Sequence, residues 1–508
     1  MKTSNLKPQT SNQRGAGAIF GILICFFVAS NAAAQIQQSW VSHYDNGIAN
    51  GNNQALKMGL DPAGNIFIYG FSQNTNGGTG YATLKYASNG NQLWAARYDS
   101  TNFPTAKPTA FALDGQGNSA VTGNALTVKY DAYGSQLWTA PYAGLALGAD
   151  TNGNSFVTGF GTNFNTVKLS PSGSNVWTAT YKDVGPTIGQ GVAIDGNGSV
   201  YVCGSDVYTY YFNHFFWQSY VQLLTVKWTF AGSQLWTSSV PSLCTSVQAE
   251  ALTLDLANNL YIAAHFDPPL AGYNYLIVKY GSGGNEIWQS GNPPFNGSSV
   301  PFGLIAEKNG AAVVTGESGY YPYSYYGTYE FATNGSCLWT NSFPSSQPST
   351  VSAATSISTD QIGNIYVTGF SPDSNGNNDI VTIAYDTSGK QLWLQRYSGA
   401  ANAGAVGNAI AVDKNGNVYV AGYENVAGGG TEMVLIKYAP VTLQHQTNGN
   451  FLLQAQGAAG EPFDIRATTN LQTWLDLGTN NADTNGLLQY LDTNAPLYPW
   501  RFYLAIPQ

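Results

Sequence analysis

The sequence predicts an all-β fold: an eight-bladed β-propeller followed by a small β-sandwich-like domain. Three observations lead there. Composition is the first. Glycine is abundant (58 residues), aromatic residues reach 13%, and only 9% of the 508 residues are charged, against roughly 25% in an average domain. Many short strands joined by tight turns use such a mixture, whereas long helices do not. The second is an internal repeat in which each copy holds four short β runs. The third is an offset that places the missing last run of that repeat at the opposite end of the chain.

The first run of each copy ends at an acidic residue that opens a D-x-x-G-N turn. Clear copies stand at Asp61–Asn65, Asp114–Asn118, Asp150–Asn154, Asp360–Asn364 and Asp413–Asn417, and degraded ones at Asp195–Ser199, Asp255–Asn259 and Glu307–Ala311. The Asp side chain bonds backbone N–H groups ahead of it and Gly supplies positive φ, so the motif is a hairpin turn. The second run follows at once, as in Ile365–Phe370. The third ends in a Lys-Tyr pair, such as Lys85-Tyr86 or Lys437-Tyr438. A second glycine turn leads to the fourth run, marked by Trp94, Trp138, Trp177, Trp236, Trp288, Trp339 and Trp393.

Eight turn units thus meet seven internal tryptophan runs. The unit ending at Tyr438 has none after it, and the missing run stands near the N-terminus, around Trp40. A ring closed by its own N-terminal strand has no open edge to expose. Eight blades, with Trp40 on the outer strand of the last, are expected. A seven-bladed ring is the alternative, the doubtful unit lying between Trp138 and Trp177. Small residues alternate with larger ones in the first run, as in Ala409/Ala411 against Ile410/Val412, which suits sheets converging on an axis. The eight tryptophans are expected to be structural, filling the wider outer gaps.

Asp360, Gly363, Asn364, Ile365, Tyr366, Val367 and Gly369, with their counterparts in other copies, resemble the SBBP-type β-propeller repeat of secreted bacterial proteins. The likeness extends from residue 40 to about 438. It implies a propeller fold and an extracytoplasmic location but no activity, because the family label describes a repeat. The G-x-x-L-W turn also faintly resembles quinoprotein propeller repeats. The chain lacks the adjacent cysteine pair of many quinoprotein dehydrogenases, so a quinone is not expected.

The expected division is a signal peptide at 1–34, the propeller at 35–440 and a C-terminal β domain at 441–508. Lys2, Lys7 and Arg14 precede an apolar stretch from Ala16 to Ala29, and Ala32-Ala33-Ala34 offers a cleavage site before Gln35. The destination is then secreted, periplasmic or cell-surface, with no membrane span in the mature chain. Cleavage leaves 16 basic against 28 acidic residues, a net charge of −12. No basic stripe exists to neutralise phosphates, so nucleic acid is not an expected partner. Cys203, Cys244 and Cys337 form no zinc or disulfide framework; one Cys203–Cys244 bridge is the pairing considered, against simple burial.

The chemistry is sparse. D-x-N-x-N spacing at Asp413–Asn417 and Asp150–Asn154 admits calcium, but turn chemistry accounts for the same residues, and no cofactor is expected. His43, His214, His265 and His445 show no paired metal-ligand spacing. Glu250 occupies a first-run position held elsewhere by Thr109, Gln190, Thr355 and Asn408. Glu250, Gln190 and Asn408 are therefore candidates for a polar channel mouth. Two aromatic insertions, Tyr208–Tyr220 and Tyr320–Tyr329, interrupt the repeat. Their Tyr210, Tyr211, Phe215, Trp217, Tyr320, Tyr321 and Tyr325 either stack on a ligand or pack together as an extended hairpin. No catalytic residues are assigned. The expected function is an exported, non-enzymatic binding or scaffold propeller that recognises a glycan, cell-surface polymer or envelope protein. The alternative is a polysaccharide hydrolase or lyase using the channel mouth.

Overall fold

The computed structural model describes residues 36–507 apart from 160–162, 183–186, 213–215, 245, 268–273, 292–297, 320–323, 345–349, 400–401, 458–459, 471, 485 and 499–500. Among the described residues the strands form eight four-stranded sheets and two three-stranded ones. Apart from a 3-10 turn at Ala495–Leu497, the regular structure is all β. No helix among the described residues is long and apolar enough to cross a membrane.

Each four-stranded sheet contributes one inner strand to a ring. These strands are Asn53–Leu60, Pro108–Leu113, Ala146–Ala149, Thr187–Ile194, Ser246–Leu254, Ser298–Ala306, Ala353–Thr359 and Ala405–Val412. Each contacts the inner strands of the sheets before and after it, and the last contacts the first. The chain is therefore propeller-like, with its sheets arranged around an axis. The segment between Trp138 and Trp177 makes a four-stranded sheet like its neighbours, with an inner strand of only 4 residues. Seven sheets follow chain order. In the eighth, the N-terminal strand Ile36–Tyr44 pairs antiparallel with Thr431–Pro440, matching Trp40 to Lys437 and Tyr44 to Met433.

The tryptophans join one sheet to the next. Five indole Nε1 groups donate to a carbonyl in the following sheet's outer turn: Trp94 to Ala132 (3.1 Å), Trp138 to Pro171 (2.9 Å), Trp177 to Phe230 (3.0 Å), Trp236 to Ser282 (3.1 Å) and Trp288 to Thr333 (2.9 Å). The rings lie directly on the glycine of that turn. Gly284 has φ +90°, and a Cβ there would stand 2.6 Å from the Trp236 indole. Any side chain at this position meets both backbone strain and the ring.

Opposite each of six tryptophans stands the lysine of the Lys-Tyr motif or its equivalent. The pairs are Lys85/Trp94, Lys129/Trp138, Lys168/Trp177, Lys227/Trp236, Lys279/Trp288 and Lys437/Trp40. All six lysines are buried. A buried ammonium needs a counter-charge and acceptors. Lys129 Nζ has both: the Asp114 carboxylate at 2.8 Å and the Gly153 carbonyl of the next sheet at 2.7 Å. Lys85 likewise reaches Asp61 (3.3 Å) and Ala132 O (3.1 Å). Burial alone would raise the Asp114 pKa, but hydrogen bonds from Lys129 and Asn118 outweigh it and hold the carboxyl below its usual value. The turn aspartate thus anchors a cation as well as shaping a hairpin.

The sheet that begins at Ser298 breaks this rule. Glu330 faces Trp339 where six other sheets place lysine, and Glu307 replaces the turn aspartate; in the sheet that begins at Ala353, Ala384 stands opposite Trp393. Burial first, and the Glu307 charge second, push the Glu330 carboxyl up to about 7.

Near the C-terminus, two three-stranded sheets share one core. Thr442–His445, Phe451–Gln456 and Leu487–Asp492 form one, and Leu475–Asn481, Pro462–Thr468 and Phe502–Pro507 the other. Leu453, Ala455 and Leu488 meet Phe463, Ile465 and Ala505 between them. Arg501 pairs with buried Asp492 at 2.8 Å, and the Tyr503 hydroxyl donates to the same carboxylate, also at 2.8 Å. The considered Cys203–Cys244 bridge is not formed: Cys203 is a free thiol. It packs with Tyr201, Leu223 and Leu260 in an apolar cluster, and burial pushes its thiol up to about 12.

Two predictions follow from the buried charges. Lys129→Met, which strands Asp114 in the core, should cost about 3–5 kcal/mol; adding Asp114→Asn should recover most of it, as read from urea midpoints. Glu330 binds a proton more tightly in the folded chain, so its contribution is present at pH 4.5 and lost as pH rises towards 7. Glu330→Gln should therefore raise the melting temperature at pH 8 and flatten its fall between pH 5 and 8.

Candidate functional site

Seven inner strands share a local irregularity. The ladder to the second strand shifts register between Ala55/Lys57, Pro108/Ala110, Gly189/Gly191, Ala249/Ala251, Pro301/Gly303, Ala354/Ser356 and Gly407/Ala409. The residues left between are Leu56, Thr109, Gln190, Glu250, Phe302, Thr355 and Asn408. A bulge re-aims one side chain out of the alternation. At four of the seven positions the side chain bonds to the neighbouring sheet. Thr109 Oγ1 donates to Gly144 O (2.5 Å), Thr355 Oγ1 to Gly407 O (2.6 Å) and Asn408 Nδ2 to Ala55 O (2.7 Å), while Gln190 Oε1 accepts from Ala249 N (2.9 Å).

The polar groups expected to rim a channel are therefore partly spent on stitching inner strands together. Asn408 joins the last inner strand to the first across ring closure. It does not line the cavity described next.

That cavity, of about 320 Å³, is walled by five consecutive inner strands. Thr109, Gln190 and Glu250 line it together with Lys57, which the sequence reading missed. Lys57 sits one residue past the first bulge, and a bulge cannot be read from a single copy of the repeat. Lys57 and Glu250 are the charged groups among the lining residues. They come from the first and fifth of the inner strands and so face each other across the ring. The Lys57 side chain is reached by water yet surrounded by protein. Desolvation lowers its pKa, and the charge of Glu250 pulls it partly back. Glu250 itself lies 3.2 Å from His265 Nδ1, a pairing within one sheet.

The first aromatic insertion is an extended hairpin in its backbone. Val200–Phe212 and Phe216–Trp228 pair from Val200↔Trp228 out to Phe212↔Phe216. Tyr210, Tyr211 and Trp217 lie on its outer end, with Tyr211 opposite Trp217. Phe215, Tyr320 and Tyr321 lie outside the described residues. Tyr325, at the start of the Tyr325–Phe331 strand, is exposed.

The calcium reading meets an unsuitable donor set. Both oxygens of Asp413 already accept hydrogen bonds, from Asn415 N, Asn417 N, Asn417 Nδ2 and the Tyr419 hydroxyl. Asn417 presents its amide nitrogen to the carboxylate, whereas calcium needs converging oxygens. Asp150–Asn154 has the same turn bonds.

Comparison with known proteins agrees with the repeat. The SBBP β-propeller repeat matches residues 393–426, from the outer strand of one sheet into the second strand of the next. No curated protein matches the chain. Similar solved structures include a protein of unknown function from Bacteroides caccae, 14% identical over 53% of this chain and 82% of its own, with a TM-score of 0.31. A protein of unknown function from Dyadobacter fermentans is 9% identical over 80% of this chain and 99% of its own, with a TM-score of 0.36. A YCF48 structure bound to a D1 peptide is 8% identical over 81% of this chain and 96% of its own, also with a TM-score of 0.36. Likeness this distant identifies no ligand for the present chain.

Proposed function

Starting from a chain that carries the SBBP β-propeller repeat, we propose an exported, non-enzymatic binding protein. It is an eight-bladed propeller at 35–440 with a β-sandwich-like domain at 441–508, and it recognises an uncharged stretch of polysaccharide at the mouth of its central channel. The observation that carries this reading is the Lys57–Glu250 lining. One cation and one anion face a shared space alongside Thr109 and Gln190. Such a surface offers donors and acceptors to hydroxyl groups without selecting for net charge. The cavity volume stands at the lower end of the roughly 300–1,000 Å³ usual for ligand sites. Glycoside hydrolysis generally requires two carboxyl groups flanking the bond, and Glu250 is the single carboxylate among the lining residues, with His265 as its neighbour. This favours binding over cleavage.

The test is a polysaccharide array probed with residues 35–508, alongside Lys57→Met and Glu250→Gln. Binding by the parent chain that weakens at least about tenfold in both folded variants, with no shortening of the polymer, is expected; tenfold corresponds to about 1.4 kcal/mol, near the worth of one hydrogen bond to a charged group. Polymer shortening that Glu250→Gln abolishes would establish the enzymatic alternative instead. Failure to bind any polysaccharide would move the search to an envelope protein.

A further inference from the structure

A second cluster of chemistry-bearing side chains lies away from the channel, where the ring closes. His43 belongs to the N-terminal strand Ile36–Tyr44, Glu424 to Val418–Asn425 and Glu432 to Thr431–Pro440. A ligating atom of each lies within 4.8 Å of the others. His43 Nε2 stands 3.6 Å from a Glu424 oxygen. Tyr397, from the preceding sheet, donates its hydroxyl to Glu424 Oε2 at 2.6 Å and lies 3.3 Å from His43 Nε2. Three consecutive strands of one sheet and the edge of another thus converge on one point.

The two glutamates add an independent requirement. Glu424 and Glu432 are direct cross-strand partners. Like charges in that relation repel, and Glu424 is only 1% exposed, so little solvent screens it. A proton shared between the carboxylates, or a positive charge held between them, relieves this repulsion. A metal ion would supply that charge, and an imidazole already stands on the third side. One imidazole and two carboxylates suit a transition metal rather than magnesium or calcium, which favour all-oxygen sets. Three protein ligands leave a position for water. Tyr397 would then orient Glu424 from outside the ligand set, as outer-shell donors do at metal sites.

We propose that His43, Glu424 and Glu432 bind one divalent transition-metal ion of the zinc class, which latches the N-terminal strand to the last sheet. The ligands come from opposite ends of the ring sequence, so an ion held by all three binds only the closed ring. Its binding free energy is added to closure.

The experiment uses residues 35–508, freed of metal with a chelator and titrated with zinc chloride alone. The expected result is one equivalent of zinc bound by calorimetry and a rise in melting temperature of about 3 °C at a hundredfold excess over the dissociation constant. His43→Ala should lose both effects, its zinc affinity falling by more than the roughly 10–100-fold that outer-shell changes cost. Glu432→Gln, a near-isosteric change at a half-buried site, should do the same and serves if His43→Ala misfolds. His445→Ala, on the Thr442–His445 strand, should bind as the parent does. A parent chain that takes up no zinc overturns the proposal. So does a folded His43→Ala or Glu432→Gln chain that keeps the bound equivalent and the thermal shift.

Discussion

Ring closure is the constraint on which the remaining architecture depends. Each inner strand packs against its neighbours, four side-chain bonds stitch some of them together, and the tryptophans reach into the next sheet. Such an arrangement has no self-sufficient unit. The last sheet is completed by Ile36–Tyr44, paired along nearly its full length with Thr431–Pro440. Without it the Thr431–Pro440 strand would expose a row of unpaired backbone groups. The first sheet would lose the Trp40 ring that lies over Gly90. Asn408 and Lys437 cross the same seam, to Ala55 O and Ser88 O. The cavity is walled by strands held by these seams, so its geometry inherits the closure.

The repeat places its few charges in an unusual way. Six of the chain's 19 basic residues are buried lysines at sheet-to-sheet junctions. Each holds a carbonyl of the following sheet, and the turn aspartates of their own sheets balance them to varying degrees. The Lys129–Asp114 pair is close and fully buried, while Lys279 and Asp255 are 3.9 Å apart. Buried pairs of this kind add little net stability over an apolar pair but penalise a wrong pairing heavily. They suit a chain that must set many nearly identical strands in one order.

Much of this was legible in the sequence. The D-x-x-G-N turns and tryptophan runs are local signals with period and mechanism, and the displaced Trp40 run disclosed the circular permutation. The lysine role was not legible, although the Lys-Tyr motif was visible: an exposed strand end and a buried cation look alike until the Trp partner and the next sheet's turn are placed. The bulges at Thr109, Gln190, Glu250 and Asn408 were also hidden, because an inserted residue keeps the same composition as a regular strand. Their alignment across copies was readable, but it pointed to a free polar rim rather than to inter-sheet bonds. Lys57 was missed for the same reason, and the His43 cluster because His43 stands hundreds of residues from Glu424 and Glu432.

The most direct test of the account is removal of the closing strand. Residues 46–508 should be compared with 35–508 by thermal unfolding and light scattering, with a peptide of residues 35–45 then added in excess. The account predicts a lower melting temperature and self-association for the shortened chain, both reversed by the peptide. A shortened chain that is monomeric and melts with the parent would contradict it.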